Sequence, residues 1–411
     1  MKKNTLLPIL LILAAFPLGA GNSIFSYDGY PIRYYGNDIY SLGMGEAGAS
    51  DIFRLNTSYS NPAMHNLSNR SLFSTGIVMG YNAYRSRDGD GNESDYLDDS
   101  LDFPYFNLSI PLKIHRFGFQ FSSSASGVVS NQREFLLADS TAILEKQSID
   151  RYLYKLDLIY SVNLGNNNFG ISGNYYLGHD VRNFTQEAEY GLFNTREELA
   201  RSYKNPGFTV GYLRHQDKFA FGANYSPAWT LKGEEIRTSI HETEDPVDYE
   251  YEIPAHYAAS VTALPMEAFK LACDFHYEDW ERIDPDHYVD SWKLSLGAAY
   301  EPKEDNDNIF LRLPLRGGVS YRRLPFRADD EALETVDELA LSLGLTIPLK
   351  GDVNRIDCGL QYVRRGDLEK NRLADNSFLL MFGFTGFDIL NKAPDRTAPR
   401  DIPEKEDIRE W

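Results

Sequence analysis

The feature that most limits what this chain can fold into is a repeated alternation of apolar and polar residues over segments of about ten residues. In residues 338–349, every second residue is leucine or isoleucine, and the residues between are small, polar or charged. In residues 151–164, tyrosine, leucine and valine alternate with residues such as Lys155 and Asp157. This period of two predicts β-strands. A soluble barrel would rarely bury mid-strand charges, and an arginine facing lipid costs about 2–4 kcal/mol. We therefore expect the apolar side to face lipid and the charged side a lumen.

Fourteen such segments follow one another along the chain. They are predicted at 72–84, 101–113, 117–130, 151–164, 169–182, 206–214, 219–231, 253–264, 269–278, 291–302, 309–322, 338–349, 355–365 and 377–389. Connections after even-numbered segments are short, and those after odd-numbered segments run to roughly 10–25 residues. Short turns on one side and long loops on the other are typical of outer-membrane barrels. The predicted fold is all-β: a transmembrane antiparallel β-barrel of about 14 strands, formed by residues 72–390.

The two ends of the chain predict its compartment. Lys2 and Lys3 precede the apolar run Leu6–Phe16, and Leu18-Gly19-Ala20 offers a small-residue cleavage site. These are the parts of a secretory signal peptide, here residues 1–20, because the apolar run is too short for a membrane-spanning helix. Residues 391–411 are charged and rich in proline, which predicts a disordered periplasmic tail. Together with the strands, the signal places the protein in the outer membrane of a bacterial cell, in contact with its lipid.

Composition argues against several classes of function. The net charge is -19, from 60 acidic and 41 basic residues, and a nucleic-acid partner would need a basic surface. The sequence contains no G-x-S-x-G nucleophile motif and no H-x-x-x-H ligand pair. We therefore expect neither an enzyme nor a metal site nor a cofactor.

Residues 21–71, between the signal peptide and the first strand, contain many small residues and one sharp turn. The distinctive positions are Gly43, Gly45, Gly48, Asn61, Pro62 and Ala63. The glycine spacing G-x-G-x-x-G also matches a dinucleotide-binding fingerprint, but no continuous apolar strand precedes it, so a nucleotide site is not expected. A compact segment that threads a narrow space is the better interpretation.

The run Leu-Gly-Met-Gly-x-Ala-Gly-Ala that begins at Leu42, followed by Asn-Pro-Ala at residues 61–63, resembles the start of the FadL-type outer-membrane transporters of hydrophobic compounds. In that family this segment forms a plug, or hatch, inside a fourteen-stranded barrel. The resemblance implies that residues 21–71 are a hatch, which bends at the positions named above. It also implies passive uptake of hydrophobic small molecules, such as long-chain fatty acids or aromatic hydrocarbons, through hatch movement or a gap in the barrel wall.

Four cations on the lumen side are candidate ligand contacts. Arg312, Arg316 and Arg322 share the lumen side of the eleventh predicted strand, and Lys155 is expected across the lumen. Such groups could recognise a carboxylate-bearing amphiphile, because charge pairing strengthens where water is scarce. The alternative is that these cations pair with lumen carboxylates such as Asp157 and only stiffen the barrel.

A second function stays open. The same opening run also resembles barrel proteins of the PorV type, which act as docking partners of a protein secretion machine. A protein that co-purifies with the barrel would favour this role. A hydrophobic molecule bound in the lumen would favour transport.

Overall fold

The computed structural model describes residues 23–26, 32–35, 38–53, 60–65, 67, 70–89, 91–136, 141–188, 194–302, 313–326, 335–349 and 354–386. The predicted signal peptide and the predicted tail lie outside these ranges. No helix in the described part of the chain is long and apolar enough to cross a membrane.

The described residues are mostly strand. The strands are β1 (Ile32–Arg33), β2 (Leu72–Arg87), β3 (Glu93–Asp102), β4 (Tyr105–Leu112), β5 (His115–Leu136), β6 (Ala142–Leu164), β7 (Asn167–Ala188), β8 (Thr195–Gln216), β9 (Phe219–Ser226), β10 (Trp229–Ser239), β11 (Val247–Ile253), β12 (His256–Met266), β13 (Phe269–Glu278), β14 (Ser291–Tyr300), β15 (Leu315–Arg323), β16 (Asp337–Pro348), β17 (Arg355–Asp367) and β18 (Leu373–Gly386). The helices are short: the 3-10 turns η1 (Ile24–Ser26) and η2 (Pro62–Met64), and the α-helices α1 (Ile39–Leu42) and α2 (Leu368–Asn371).

These strands close into one antiparallel barrel, because β18 pairs with β2. Three wall strands are each interrupted at a proline, so that β3 with β4, β9 with β10, and β11 with β12 count as one crossing each. Both halves of the first interrupted strand pair with β2, and both halves of the second pair with β8. The wall therefore has fourteen strands, at the positions that the alternation predicts, and the predicted barrel is confirmed.

The predicted boundaries are wrong on the long-loop side. Residues 131–150 and 183–205 were expected to be loops, yet most of them continue β5, β6, β7 and β8, which are 22 or 23 residues long. A tilted strand needs only about 9–11 residues to cross the hydrocarbon. The remaining residues continue the backbone pairing beyond that length, where no regular apolar alternation marks the strand. Of the eleventh predicted strand, residues 309–312 lie outside the described residues, and the strand β15 is described from Leu315.

The outer surface carries the apolar side of the alternation. Leu343 and Leu158 expose 67% and 64% of their surface, in rows of outward leucine and aromatic residues that a water-soluble protein would bury. Aromatic pairs flank these rows at two levels. The ring centroid of Trp292 lies 5.5 Å from that of Tyr321, and farther along β14 the rings of Tyr300 and Phe269 lie 5.1 Å apart. Eight residues separate the two levels, about 26 Å along the strand. At the strand tilt of about 40° that such barrels have, this is roughly 20 Å along the membrane normal, close to the height of about 25 Å of an apolar band. The chain is an outer-membrane barrel.

Candidate functional site

Residues 38–53 and 60–65, called the N-terminal segment below, fold through local side-chain caps and left-handed glycines. Asp38 caps α1, and its carboxylate accepts a hydrogen bond from the Ser41 amide at 2.8 Å. The turn that follows uses Gly45 at φ 68° and Gly48 at φ 124°, which are conformations that favour glycine. Asn61 caps η2 in the same way, because its side-chain oxygen accepts from the Ala63 amide at 3.0 Å.

The N-terminal segment spans the inside of the barrel, and glycines of the wall make room for it. A Cβ added at Gly318, on β15, would lie 2.2 Å from the Met44 carbonyl oxygen. A Cβ at Gly170, on β7, would lie 2.3 Å from the Ala63 nitrogen. Strands β7 and β15 lie nearly opposite each other in the ring, so the segment reaches across the lumen. His65 is the last residue of the N-terminal segment, and burial lowers the pKa of its imidazole to about 4.

Buried ion pairs hold the N-terminal segment to the wall. The Lys270 ammonium lies 2.8 Å from an Asp51 carboxylate oxygen, and their side chains are 1% and 0% exposed. Lys293 pairs with Glu46 in the same manner. Asp274 of the wall accepts hydrogen bonds from the backbone amides of residues 48 and 49, at 2.9 and 2.8 Å. Removing one partner of such a buried pair costs about 3–5 kcal/mol, so the segment is firmly anchored.

Two of the predicted ligand-binding cations point into the lumen and already have partners there. Arg316 lies 3.4 Å from Asp357, and its guanidinium stacks 4.3 Å from the ring centroid of Tyr40 in the N-terminal segment. Arg322 lies 3.9 Å from Glu278. The two arginines are six residues apart on β15, about 20 Å along the strand, so they do not form one site.

The other two predicted cations are Lys155 and Arg312. Lys155 pairs with Asp157 at 3.3 Å on its own strand. Arg312 lies outside the described residues. Arg316, Arg322 and Lys155 therefore each lie near a carboxylate, as the alternative interpretation expects. Ligand contact by these side chains stays a prediction.

The barrel wall is broken where β3 ends and β4 begins, at Phe103 and Pro104. On the extracellular side of this point, β3 pairs only with β2 among the described strands. On the other side, β4 pairs with β5. The last bond across the break runs from the Ser123 amide to the Pro104 carbonyl at 3.1 Å. The register of β5 against β6 also shifts between Ser123 and Ala125, which bends β5. Strands β3 and β5 consequently part on the extracellular side, and β1 pairs with the edge of β5 next to the break, where Arg33 lies opposite Ala125.

A cavity of about 60 Å³ lies on the lumen side of this break. It is lined by residues of both broken edges, of the N-terminal segment and of strands β14–β18. The apolar part of the lining consists of Ile32, Leu42, Val78, Tyr105, Val363, Leu379 and Met381. Asp102 and Ser123, at 3% and 5% exposure, line it from the two edges of the break. No cluster of three or more possible metal ligands occurs in the described part of the chain.

The alternation of the sequence does not predict a role for Asp102 or Ser123, nor the break itself. Asp102 lies at the start of the second predicted strand, residues 101–113. The signal that could have located the break is Pro104, because proline cannot donate to a strand ladder and is rare inside a paired wall.

Comparison with known proteins places these features in a family. The family model described as BamG matches residues 37–388. Among solved structures, the P. putida toluene transporter TodX aligns over 85% of this chain and 98% of its own, with a TM-score of 0.59 and 15% identity. A Pseudomonas aeruginosa FadL homologue aligns over 86% of this chain and 99% of its own, with a TM-score of 0.59 and 12% identity. The Ralstonia pickettii toluene transporter TbuX aligns over 85% of this chain and 98% of its own, with a TM-score of 0.58 and 13% identity. At these identities the likeness shows a shared fold. No curated protein matches the chain at a significant level.

Proposed function

The chain belongs to the BamG family and has the fold of the FadL-type barrels, and from these premises we propose that it is an outer-membrane channel for the passive uptake of hydrophobic small molecules. The observation that carries the proposal is the break in the barrel wall at Phe103 and Pro104, with a partly apolar cavity behind it. Long-chain fatty acids and aromatic hydrocarbons are the substrate classes we propose. The names of the toluene transporters that share the fold support the second class.

A sideways route suits a hydrophobic molecule better than a straight one. The N-terminal segment crosses the lumen and is held there by two buried ion pairs. A molecule moving along the barrel axis would have to displace these charges. A molecule leaving through the break passes apolar side chains such as Val78 and Met381, and then meets the lipid-facing surface. No energy source is needed, because the molecule moves towards an apolar environment.

We propose that the N-terminal segment is the hatch of this channel. Gly43, Gly45, Gly48, Asn61, Pro62 and Ala63 are the proposed positions at which it bends. The left-handed backbone of Gly45 and of Gly48 supports this, since other residues would strain the turn. The close approach of wall glycines to Met44 and Ala63 means that small movements of the segment change its contacts on two sides of the lumen.

Mass spectrometry of the small molecules retained by the detergent-purified protein tests the proposal, together with displacement of a fluorescent fatty acid. We expect a bound amphiphile that fatty acid or toluene displaces. Val78→Phe, which fills the cavity, should weaken the displacement. Val210→Phe is the matched control, because Val210 is 38% exposed on the outer surface.

An empty barrel that binds neither probe would refute the channel. The docking role predicted as the alternative would gain support if such an empty barrel carried a stoichiometric protein partner.

A further inference from the structure

The barrel wall has a second place where neighbouring strands are not paired, between β8 and the interrupted strand formed by β9 and β10. The ladder of β8 with β9 ends at Val210, and its ladder with β10 begins at Tyr203. Residues 204–209 therefore have no ladder partner on this side, although they pair with β7 on the other. Opposite them the chain turns at Pro227, which has no amide hydrogen to donate. This unpaired stretch is called the second gap below.

The second gap lies at the extracellular edge of the lipid-facing surface. Next to it, the outward rings of Tyr225 and Tyr257 lie 5.0 Å apart. In the ladder, Tyr257 lies opposite Tyr277, which lies opposite Trp292, so these rings belong to the aromatic level that contains Trp292. Aromatic rings at such a level mark the boundary between hydrocarbon and headgroups. A molecule dissolved in the outer half of the membrane therefore meets the second gap directly.

The side chain of Trp229, at the start of β10, fills the second gap. Its ring centroid lies 5.4 Å from that of Phe208, which is 40% exposed on the outer surface. A Cβ added at Gly207 would lie 2.9 Å from the ring of Tyr176 and 3.2 Å from the indole. Because Tyr176 is buried on the lumen side, the indole packs against residues of both faces and lies within the wall.

Packing, rather than a hydrogen bond, holds the indole there. The Nε1 atom of Trp229 is buried and has no hydrogen-bond partner among the described residues. Side chains bridge the second gap beside it: Nδ2 of Asn205 donates to the Thr230 carbonyl at 2.6 Å, and the hydroxyls of Thr209 and Ser226 lie 2.8 Å apart. A buried donor without a partner is costly, and the face of an aromatic ring accepts a weak hydrogen bond. An aromatic ligand therefore offers this donor a partner.

Apolar surface continues from the indole into the lumen. Trp229 packs against a cluster that consists of Ala125, Leu153, Tyr176, Tyr203, Leu231 and Ile253. These residues come from β5, β6, β7, β8, β10 and β11, and Ala125 lies next to the break at Phe103 and Pro104. The cluster thus extends along the inner wall from the second gap to the first break.

A cavity of about 180 Å³ lies beside the indole, where Pro254 interrupts the next wall strand. Its apolar lining includes Ile253 and Ile283, and its charged groups are Glu252, Asp279 and Arg282. Two carboxylates against one guanidinium leave no excess of positive charge for an anion. The cavity therefore suits an uncharged molecule.

We propose that the second gap is a binding site for a flat, uncharged aromatic molecule that enters from the outer half of the membrane, and that Trp229 moves aside to admit it. The ring takes the place of the indole between Phe208 and Tyr176 and stays in contact with the displaced side chain. The apolar cluster then provides a surface in the direction of the first break. The inference rests on the proposed uptake function and names an entry site and its substrate class.

Bromobenzene is the probe, because its heavy atom quenches a tryptophan that it touches. Tryptophan emission is titrated with bromobenzene in lipid vesicles for the parent protein, for Trp229→Phe and for the matched control Trp292→Phe, which lacks a ring at the aromatic level of the outer surface. We expect a saturable component of quenching that toluene reverses. It should be present in the parent and in Trp292→Phe and absent from Trp229→Phe, since bromobenzene dissolved in lipid quenches without saturation.

A disulfide across the second gap tests whether the gap must open. Thr209→Cys with Ser226→Cys places two thiols where the hydroxyls lie 2.8 Å apart, close enough for a disulfide bond. Cys273 and Cys358 are changed to alanine in the same protein. Oxidation should weaken the saturable binding of bromobenzene about tenfold or more, and reduction should restore it.

The control disulfide joins a closed part of the wall. Ser295→Cys with Ser320→Cys places thiols on residues that lie opposite each other in the ladder of β14 and β15. Oxidation of this pair should leave the saturable quenching unchanged. If the disulfide across the second gap does not form, as judged by thiol titration, Gly207→Val fills the space against the indole and should weaken the binding about tenfold. Its matched control is Gly173→Val, because a Cβ at Gly173 meets nothing within 4 Å.

The outcomes separate the two proposals. Saturable quenching that survives oxidation across the second gap, or that Trp229→Phe or Gly207→Val leaves unchanged, would overturn the site. If the site fails while toluene still displaces the fluorescent fatty acid, the channel stands without it. If bromobenzene shows no saturable quenching and toluene displaces nothing, both proposals fail.

Discussion

Replacing Lys270 with methionine removes the cation that holds Asp51 inside the barrel while keeping a side chain of similar length. The two groups lie 2.8 Å apart and are almost fully buried. The second partner of Lys270, Glu301, is 34% exposed, so water can solvate it once the ammonium is gone. The penalty therefore falls on Asp51, in the N-terminal segment.

The size of the effect follows from this burial. Leaving one member of a buried ion pair unpaired costs about 3–5 kcal/mol. If displacement of the segment relieves that penalty, the ratio of displaced to docked segment rises by roughly 150- to 5000-fold. An exposed pair gives a matched control: Lys232 and Glu250 lie 3.0 Å apart at 68% and 60% exposure, and such pairs contribute about 0–1 kcal/mol.

The displaced segment can be detected by cysteine labelling. Ser50 is fully buried, and its hydroxyl lies 3.0 Å from that of Thr262. In a protein with Ser50→Cys and with Cys273 and Cys358 changed to alanine, the maleimide reaction rate reports how often residue 50 reaches solvent. We expect Lys270→Met to raise this rate about a hundredfold or more. Lys232→Met should leave it unchanged, and the barrel should keep its heat-dependent migration in both variants.

A labelling rate within twofold of the parent would refute the reasoning that this ion pair anchors the segment. A second check is the double variant Asp51→Asn with Lys270→Met. Because the uncompensated charge is then gone, it should label more slowly than Lys270→Met alone.

Three further expectations use other parts of the structure. Gly318→Ala places a Cβ against Met44 and should also raise labelling at residue 50, whereas Gly173→Ala, which meets nothing within 4 Å, should not. Leu158→Arg, on the lipid-facing side, should lower the free energy of folding into lipid vesicles by about 2–4 kcal/mol, as measured by urea titration. Arg316→Ala tests the predicted carboxylate contact: a loss of fatty-acid affinity would support that role, and unchanged affinity would leave Arg316 a structural partner of the lumen.

The sequence predicts the membrane-spanning part of the wall well and the rest poorly, for a physical reason. Lipid imposes an apolar residue at every second position, so residues 338–349 and 151–164 could be assigned with the correct face outward. Beyond the membrane-spanning length, residues 131–136 and 142–150 continue the ladder between β5 and β6. Backbone pairing holds this ladder, and backbone pairing leaves no regular alternation in the sequence.

The site shows a different kind of limit. Alternation places Arg316, Arg322 and Lys155 in the lumen, but it gives no information on which carboxylate each one meets across the barrel. The pairing of Lys270 with Asp51 joins residues 219 positions apart and depends on the closed ring. In the sequence, Asp102 looks like any other residue of the second predicted strand. Its position at a break becomes evident only when Pro104 is recognised as the point where pairing with β5 ends.

The break and the ion pairs together favour one path for a hydrophobic molecule. To clear the barrel axis, the N-terminal segment must give up its contacts through both Asp51 and Glu46, at about 3–5 kcal/mol for each buried pair broken. To reach the break, a molecule need not separate either pair, since the cavity already touches both parted strands. Burying apolar surface there returns about 25 cal/mol for each Å². To offset the loss of two ion pairs at about 3 kcal/mol each, a molecule would have to bury well over 200 Å² of apolar surface. Binding at the break leaves both ion pairs intact, so the energetics favour the proposed sideways route over one along the barrel axis.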